Sequence, residues 1–223
     1  MATTAPAAHA NAHHAHAPQA FIWRYVFSKD HKVIAVQYYV TAMIMALVAG
    51  VLAMLIRVQI AWPEAQIGWL GTLFPMGYSS GTMNPEFYAM LFTMHGTIMV
   101  FFVMSTAPVS GFGNLLIPLQ VGARDMAFPM LNGLSYWTFF LACIVIMASF
   151  FVGAGAAAGG WTSYPPLSAL KGAVPGSAMG QTLWIGGMVL FIASFTMGGL
   201  NFVTTIVNMR APGLSMMRLP LTM

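Results

Sequence analysis

The chain has 223 residues, 59% hydrophobic and 5% charged, with a net charge of +4. A soluble domain carries roughly a quarter charged residues, so this composition excludes a water-soluble globule and places the chain in a membrane. Its few cations form no basic stripe with interleaved aromatics, which excludes a nucleic-acid partner, and the lone Cys143 excludes a disulfide framework or thiolate metal cluster.

Residues 1–20, MATTAPAAHANAHHAHAPQA, have neither a positively charged start nor an apolar core. They read as a disordered Ala/His-rich tail rather than a secretory signal or a span; His9, His13, His14 and His16 could hold a metal weakly. Residues 21–223 read as a helical membrane bundle. A hydrocarbon core of about 30 Å needs about 20 apolar residues in a helix, and four segments meet that length: about 33–56, 87–119, 128–152 and 183–208. The connectors run over about 62–85, 122–125 and 153–180. Pro108, Gly111 and Gly113 are expected to break the regularity of the second span. Ten-residue barrel strands are absent, so the fold class is an all-α membrane protein with four transmembrane helices. Ala42, Ala46, Ala49 and Gly50 on the first helix, and Gly186, Gly187, Gly198 and Gly199 on the fourth, are expected to permit close helix approach.

Orientation follows the basic residues. Arg24, Lys29, Lys32, Arg124, Arg210 and Arg218 fall on one side, against Arg57 and Lys171 on the other. The first set marks the cytoplasmic side and both chain ends lie there. Twenty methionines lie mostly within the spans, where a flexible thioether fills packing gaps.

Polar residues inside a span identify sites, because lipid penalises them. His95 sits in MLFTMHGTIMVFF, about eight residues into the second span, roughly 10–12 Å below the outer surface at 1.5 Å per residue. Two readings stand: an imidazole hydrogen-bonded across helices, or a cofactor ligand. Arg57 ends the first helix at nearly the depth expected for His95, where it can snorkel or meet the acidic or carbonyl groups of a haem. Asn114 lies 19 positions beyond His95, about 28 Å along a helix, and so belongs elsewhere. With Asp125, Asn132, Ser135 and Asn201 it makes a polar inner group. That group either caps and stitches helices or lines a water-filled proton path leading from a surface carboxylate.

Six stretches in order carry a resemblance: DHKVIAVQYY (30–39), LIR (55–57), MHGTIMVFF (94–102), SGFGNLLIPLQVGARDMAFPMLN (110–132), GWTSYPPLS (160–168) and LNFVTTIVNMRAPG (200–213). With these motifs the chain resembles subunit I of the haem–copper terminal oxidases, the cytochrome c oxidase family, in its A-type branch. The likeness covers nearly everything from Ser28 to Leu221, the first third of a twelve-helix subunit, apart from a longer first outer connector. It implies an oxidase of the bacterial inner membrane that carries electrons from cytochrome c to oxygen with proton uptake. It implies that His95 is an axial ligand of the low-spin haem, of the a type. Arg57 is then the arginine on that haem's formyl group, and Trp161 the tryptophan over its propionates. Asp125 matches the entrance of the proton channel named for its aspartate, with Asn114, Asn132, Ser135, Asn201 and Tyr38 along the path above. Copper and the second haem are expected in the complete enzyme with no ligands in this chain. The implied partners are the copper-bearing subunit II, subunit III, the remaining helices of subunit I and cytochrome c.

Three positions depart from the family pattern. Arg124 stands where a proline usually precedes the channel aspartate, Gly133 replaces a second asparagine, and Phe195 replaces one of a pair of serines beside Ser194. Three other readings remain: a truncated or split subunit without catalysis of its own, a quinol oxidase subunit, and a small proton or solute transporter. The last would call for an inverted repeat or broken central helices, and the sequence has neither.

Overall fold

The computed structural model describes residues 21–64, 72, 77–79, 82–153, 155–170, 172–174 and 178–221. The Ala/His-rich tail and Lys171 lie outside the described residues. Among the described residues, four helices are long and apolar enough to cross a membrane. They are α1 (His31–Ala61), α2 (Pro85–Val121), α3 (Pro129–Ala148, running into a 3-10 turn at Ser149–Phe151) and α4 (Met179–Asn208). Between α1 and α2 lies a small antiparallel hairpin, β1 (Tyr78–Ser79) on β2 (Thr82–Met83), with Tyr78 opposite Met83.

Local chemistry sets the helix ends. The Asp30 carboxylate accepts from the Lys32 N–H at 2.8 Å and caps α1, satisfying a donor that the first turn leaves free. Pro85 and Pro129 open α2 and α3 at positions where the missing N–H removes nothing. Gly122 ends α2 in the left-handed region at φ 77°, and the Ala123 N–H returns to the Pro118 carbonyl at 2.8 Å, a geometry that favours glycine. Side chains from α4 hold the start of α3. Asn201 Oδ1 accepts from the Phe128 N–H at 2.9 Å, its Nδ2 donates to the Phe128 carbonyl, and Thr205 Oγ1 accepts from the Ala127 N–H at 2.9 Å.

Pro108 does not stop α2. The helix instead widens into π-type winding over Ile98–Met104 and Thr106–Phe112 before returning to α at Gly113–Val121. The Ser105 N–H bonds five residues back to the Val100 carbonyl at 3.1 Å. The hydroxyls of Ser105 and Thr106 donate to the carbonyls of Val100 and Phe101, so backbone groups stay satisfied inside lipid. Gly111 and Gly113 provide approach: a Cβ there would meet the rings of Tyr39 and Phe202.

α1 packs along the length of α2, and α3 packs on α4. On α4 the buried residues Gln181, Trp184, Gly187, Met188, Phe191, Ser194, Asn201 and Thr205 make one helical stripe. Gly187 sits where a Cβ would lie 2.6 Å from Ile146 Cγ1 of α3. The expectation for the other small residues of α4 is corrected: Gly186, Gly198 and Gly199 have nothing within 4 Å of an added Cβ. At 100° per residue, a neighbour of Gly187 already looks away from α3. On α1, Ala42 and Ala49 are fully buried, whereas Gly50 faces open space. The core between the helices is aromatic, with Phe102, Phe139 and Phe191 in mutual ring contact at 5.2–6.4 Å.

The start of α1, the segment after α4 and the 122–125 turn meet at one end of the bundle. The Ala211 N–H bonds the Val121 carbonyl at 2.8 Å, and the His31 ring bonds the Asn114 carbonyl. Lys32, Arg124 and Arg210 therefore share one end, while Arg57 stands at the opposite end of α1.

Candidate functional site

His95 lies in the α-wound part of α2, immediately before the π-wound stretch. Its Nδ1 is 2.9 Å from the Ala49 carbonyl of α1. A carbonyl only accepts, so Nδ1 carries the proton and Nε2 keeps a lone pair. The ring makes no other hydrogen bond among the described residues. This is the tautomer and anchoring typical of a metal-bound histidine, whose second nitrogen is fixed by a carbonyl or carboxylate. The cross-helix hydrogen bond expected of this ring is present, and Nε2 makes no hydrogen bond among the described residues.

Trp161 arrives beside this histidine from the loop between α3 and α4, 66 positions along the chain. Its ring lies 3.2 Å from where a Gly96 Cβ would stand and 6.0 Å, centroid to centroid, from Phe101. Three side chains that spacing alone did not single out hold that loop. Thr93 Oγ1 accepts from the Gly160 N–H at 2.9 Å, Met90 Sδ accepts from the Ala156 N–H at 3.3 Å, and Gln181 donates to Ser163 Oγ at 2.8 Å. Trp184 Nε1 donates to Thr97 Oγ1 at 2.9 Å, tying α4 to α2 two residues beyond His95. The only sequence signal for these residues is a hydroxyl, thioether or amide inside an apolar run.

Arg57 is exposed on the same helix as Ala49. The expectation of equal depth is corrected by the register: His95 is pinned to Ala49, eight residues before Arg57, about 12 Å along α1. Because helical side chains lean toward the N-terminus, the guanidinium reaches back over part of that distance. Gly50, on the same face of α1 as Arg57, has nothing within 4 Å of an added Cβ. A large flat cofactor held beside this face would have the unengaged His95 Nε2, Arg57 and Trp161 to meet.

A second polar group lies toward the end of the bundle where α1 starts. Tyr38 donates to Ser135 Oγ at 3.0 Å, Ser135 donates onward to the Asn132 carbonyl at 2.8 Å, and Ser194 Oγ donates to the Ser135 carbonyl at 2.6 Å. All four are buried. Among the described residues, neither Nδ2 nor Oδ1 of Asn132, nor Oδ1 of Asn114, has a protein partner. Buried polar atoms find protein or ordered water, so these amides mark positions where water would be held. Asn201 differs, its amide being spent on the Phe128 backbone. Asn114 uses its Nδ2 on the Ser110 carbonyl and its own carbonyl on His31. Asp125 stands partly exposed in the turn, one oxygen accepting from the Met126 N–H at 2.7 Å. Phe195 stacks on Phe191 at 5.5 Å beside Ser194 and fills the side where a hydroxyl is absent.

The family profile "Cytochrome C and Quinol oxidase polypeptide I" matches residues 33–223. The chain is 46% identical over 205 residues to an "Alternative cytochrome c oxidase subunit 1" of Bradyrhizobium diazoefficiens, covering 92% of this chain and 32% of that protein. It is 38% identical to a "Cytochrome c oxidase subunit 1" of Thermostichus vulcanus, over 92% of this chain and 33% of that protein. Against a "Heme-copper oxidase subunit I+III" of Aeropyrum pernix it is 40% identical, over 91% of this chain and 22% of that protein. The chain thus spans about a third or less of these relatives' length. The match over nearly the whole sequence, on a bundle of four apolar helices, shows that the chain belongs to the cytochrome c and quinol oxidase polypeptide I family.

Proposed function

We propose that this chain forms the N-terminal third of subunit I of a haem–copper oxidase and supplies one axial ligand of its low-spin haem through His95 Nε2. The observation that carries this reading is the Nδ1 hydrogen bond to the Ala49 carbonyl, which fixes the ring and leaves Nε2 with its lone pair. Haem bound there supplies one-electron chemistry, its potential set by ligands, hydrogen bonds and burial. Arg57 would meet the edge of the macrocycle and favour its reduced form, as a nearby cation does, and Trp161 would cover another part of the edge. A haem iron with two axial ligands needs a second one from elsewhere in the assembly. His31, the other described histidine, is spent on the Asn114 carbonyl at the far end of α1.

The end of the bundle that carries Lys32, Arg124 and Arg210 faces the cytoplasm by the distribution of positive charge. Asp125 collects protons there, and water held by Asn114 and Asn132 leads them toward the Tyr38–Ser135 pair. Asn201 serves this path by positioning the turn and the start of α3 rather than by holding water. Cytochrome c is the electron donor in this reading, with the copper-bearing subunit II, subunit III and the remaining subunit I helices as partners, in a bacterial inner membrane.

The test is His95→Ala in the complete enzyme, assayed by a reduced-minus-oxidised optical spectrum at matched subunit levels. Loss of the low-spin haem band is expected, and an unchanged spectrum overturns the assignment.

A further inference from the structure

Ahead of α1 the chain makes one wide turn, Ile22–Val26, that folds back along the helix. Gln37 Nε2 donates to the carbonyls of both Tyr25 and Val26, at 2.7 and 2.8 Å, and the Phe27 ring stacks on Trp137 of α3 at 5.0 Å. Gln37 is six residues into α1, so the turn is clamped about 9 Å past the helix start. That depth suits the boundary between headgroups and acyl chains, where apolar faces of interfacial segments settle. The side chains agree. Phe21 is 71% exposed and Trp23 64%, and Ile22, Tyr25 and Phe27 are also exposed. Such a contiguous patch marks an interaction surface, and Trp and Tyr concentrate at the membrane interface.

Between this turn and the start of α1 lies a cavity of about 700 Å³, lined by Trp23, Arg24, Tyr25, Phe27, Lys29 and Asp30 among others. Arg24 and Lys29 bring two positive charges to it, with Arg24 held 5.4 Å above the Tyr25 ring. The one acid, Asp30, is engaged in capping α1 through Lys32. Lys32 adds a third exposed cation one turn away. Aromatic walls and two cations against one carboxylate leave the lining net positive, a site for an anion that carries an apolar tail.

We propose that this cavity binds the headgroup of an anionic phospholipid from the leaflet it faces. Arg24 and Lys29 meet the phosphate, while Phe21, Ile22 and Trp23 lie among the neighbouring acyl chains. The bound lipid fastens the turn to the bundle at the end where α1 starts. This inference stands on the turn and the cavity and does not depend on the haem assignment.

The test is native mass spectrometry of the assembly purified from mixed phosphatidylglycerol and phosphatidylcholine nanodiscs. Wild type is compared with Arg24→Gln/Lys29→Gln and with Arg218→Gln, which removes a cation on the same side but outside the cavity. Wild type is expected to retain phosphatidylglycerol in preference to phosphatidylcholine. The double variant should bind it about 20- to 30-fold more weakly, two cations contributing about fivefold each, and Arg218→Gln should match wild type. Equal retention of both lipids overturns the proposal, as does an equal loss in Arg218→Gln. So does crosslinking of position 23 to another subunit in native membranes, which would show a protein occupant.

Discussion

Thr93→Val isolates the contact that holds the Trp161 loop against α2. The Thr93 side chain is fully buried, donates to the Ala89 carbonyl at 2.7 Å and accepts from the Gly160 N–H at 2.9 Å. Valine keeps the volume and removes the oxygen. Ala89 retains its place in the helix ladder, so the loss falls on Gly160, whose half-buried N–H is left without its acceptor. Gly160 sits at φ 88°, a region open to glycine, so the loop has little freedom to re-aim that N–H without moving Trp161. Stranding a buried donor costs about 1–3 kcal/mol, so local opening of the loop should become about 5- to 150-fold more frequent. Hydrogen exchange followed by mass spectrometry on peptides covering 155–165 reads this directly. Thr93→Ser, which keeps the hydroxyl, should exchange like wild type. A valine variant that exchanges as slowly as wild type would refute the reasoning, because the loop would then be held by something other than this bond.

Gly187→Ala places a Cβ against Ile146 Cγ1 and Cδ1 and should destabilise the bundle by about 1–3 kcal/mol. Gly186→Ala, which meets nothing within 4 Å, should be neutral or stabilising by up to about 1 kcal/mol. Thermal unfolding of the two variants in the same detergent checks the contrast, and equal shifts would contradict the packing described for α3 and α4. Asn132→Leu removes two buried polar atoms that have no protein partner. In the complete enzyme its stability should stay within about 1 kcal/mol of wild type while proton uptake followed by stopped-flow slows severalfold; uptake at the wild-type rate would mean that the path bypasses this amide.

Much of the architecture was legible because a bilayer imposes one strong rule. A helix that spans it must be apolar for about 20 residues, so four runs in the sequence translate directly into α1 to α4. His95 was legible for the same reason: an imidazole in such a run stands out by its desolvation cost. What it bonds to was not. Ala49 acts through a backbone carbonyl, which every residue has, so no side-chain pattern announces it. Gly186 and Gly187 look alike in sequence, yet only one faces α3, because a rotation of 100° separates neighbours. The π winding of α2 was half legible. Pro108 signals an interruption, but not whether the chain breaks or widens; here it widens, with the Ser105 and Thr106 hydroxyls donating five residues back to the Val100 and Phe101 carbonyls. The approach of Trp161 to His95 depends on Thr93, Met90 and Gln181 acting together across three elements, a coincidence that linear spacing does not encode.

The two described histidines make a matched pair of clamps between the antiparallel helices α1 and α2. The His31 ring on α1 bonds the Asn114 carbonyl on α2, and the His95 ring on α2 bonds the Ala49 carbonyl on α1. Eighteen residues separate the clamp points on α1, about 27 Å of α-helix; nineteen separate them on α2. The count is one higher on α2, whose middle is π-wound, and both clamps are engaged at once. Between the two clamp points α1 carries Tyr38, which bonds Ser135 of α3. A slip of α1 by one residue would rotate Tyr38 by 100° away from Ser135 and draw the Ala49 carbonyl off His95 together. One structural register thus couples the proposed redox ligand to the proposed proton path.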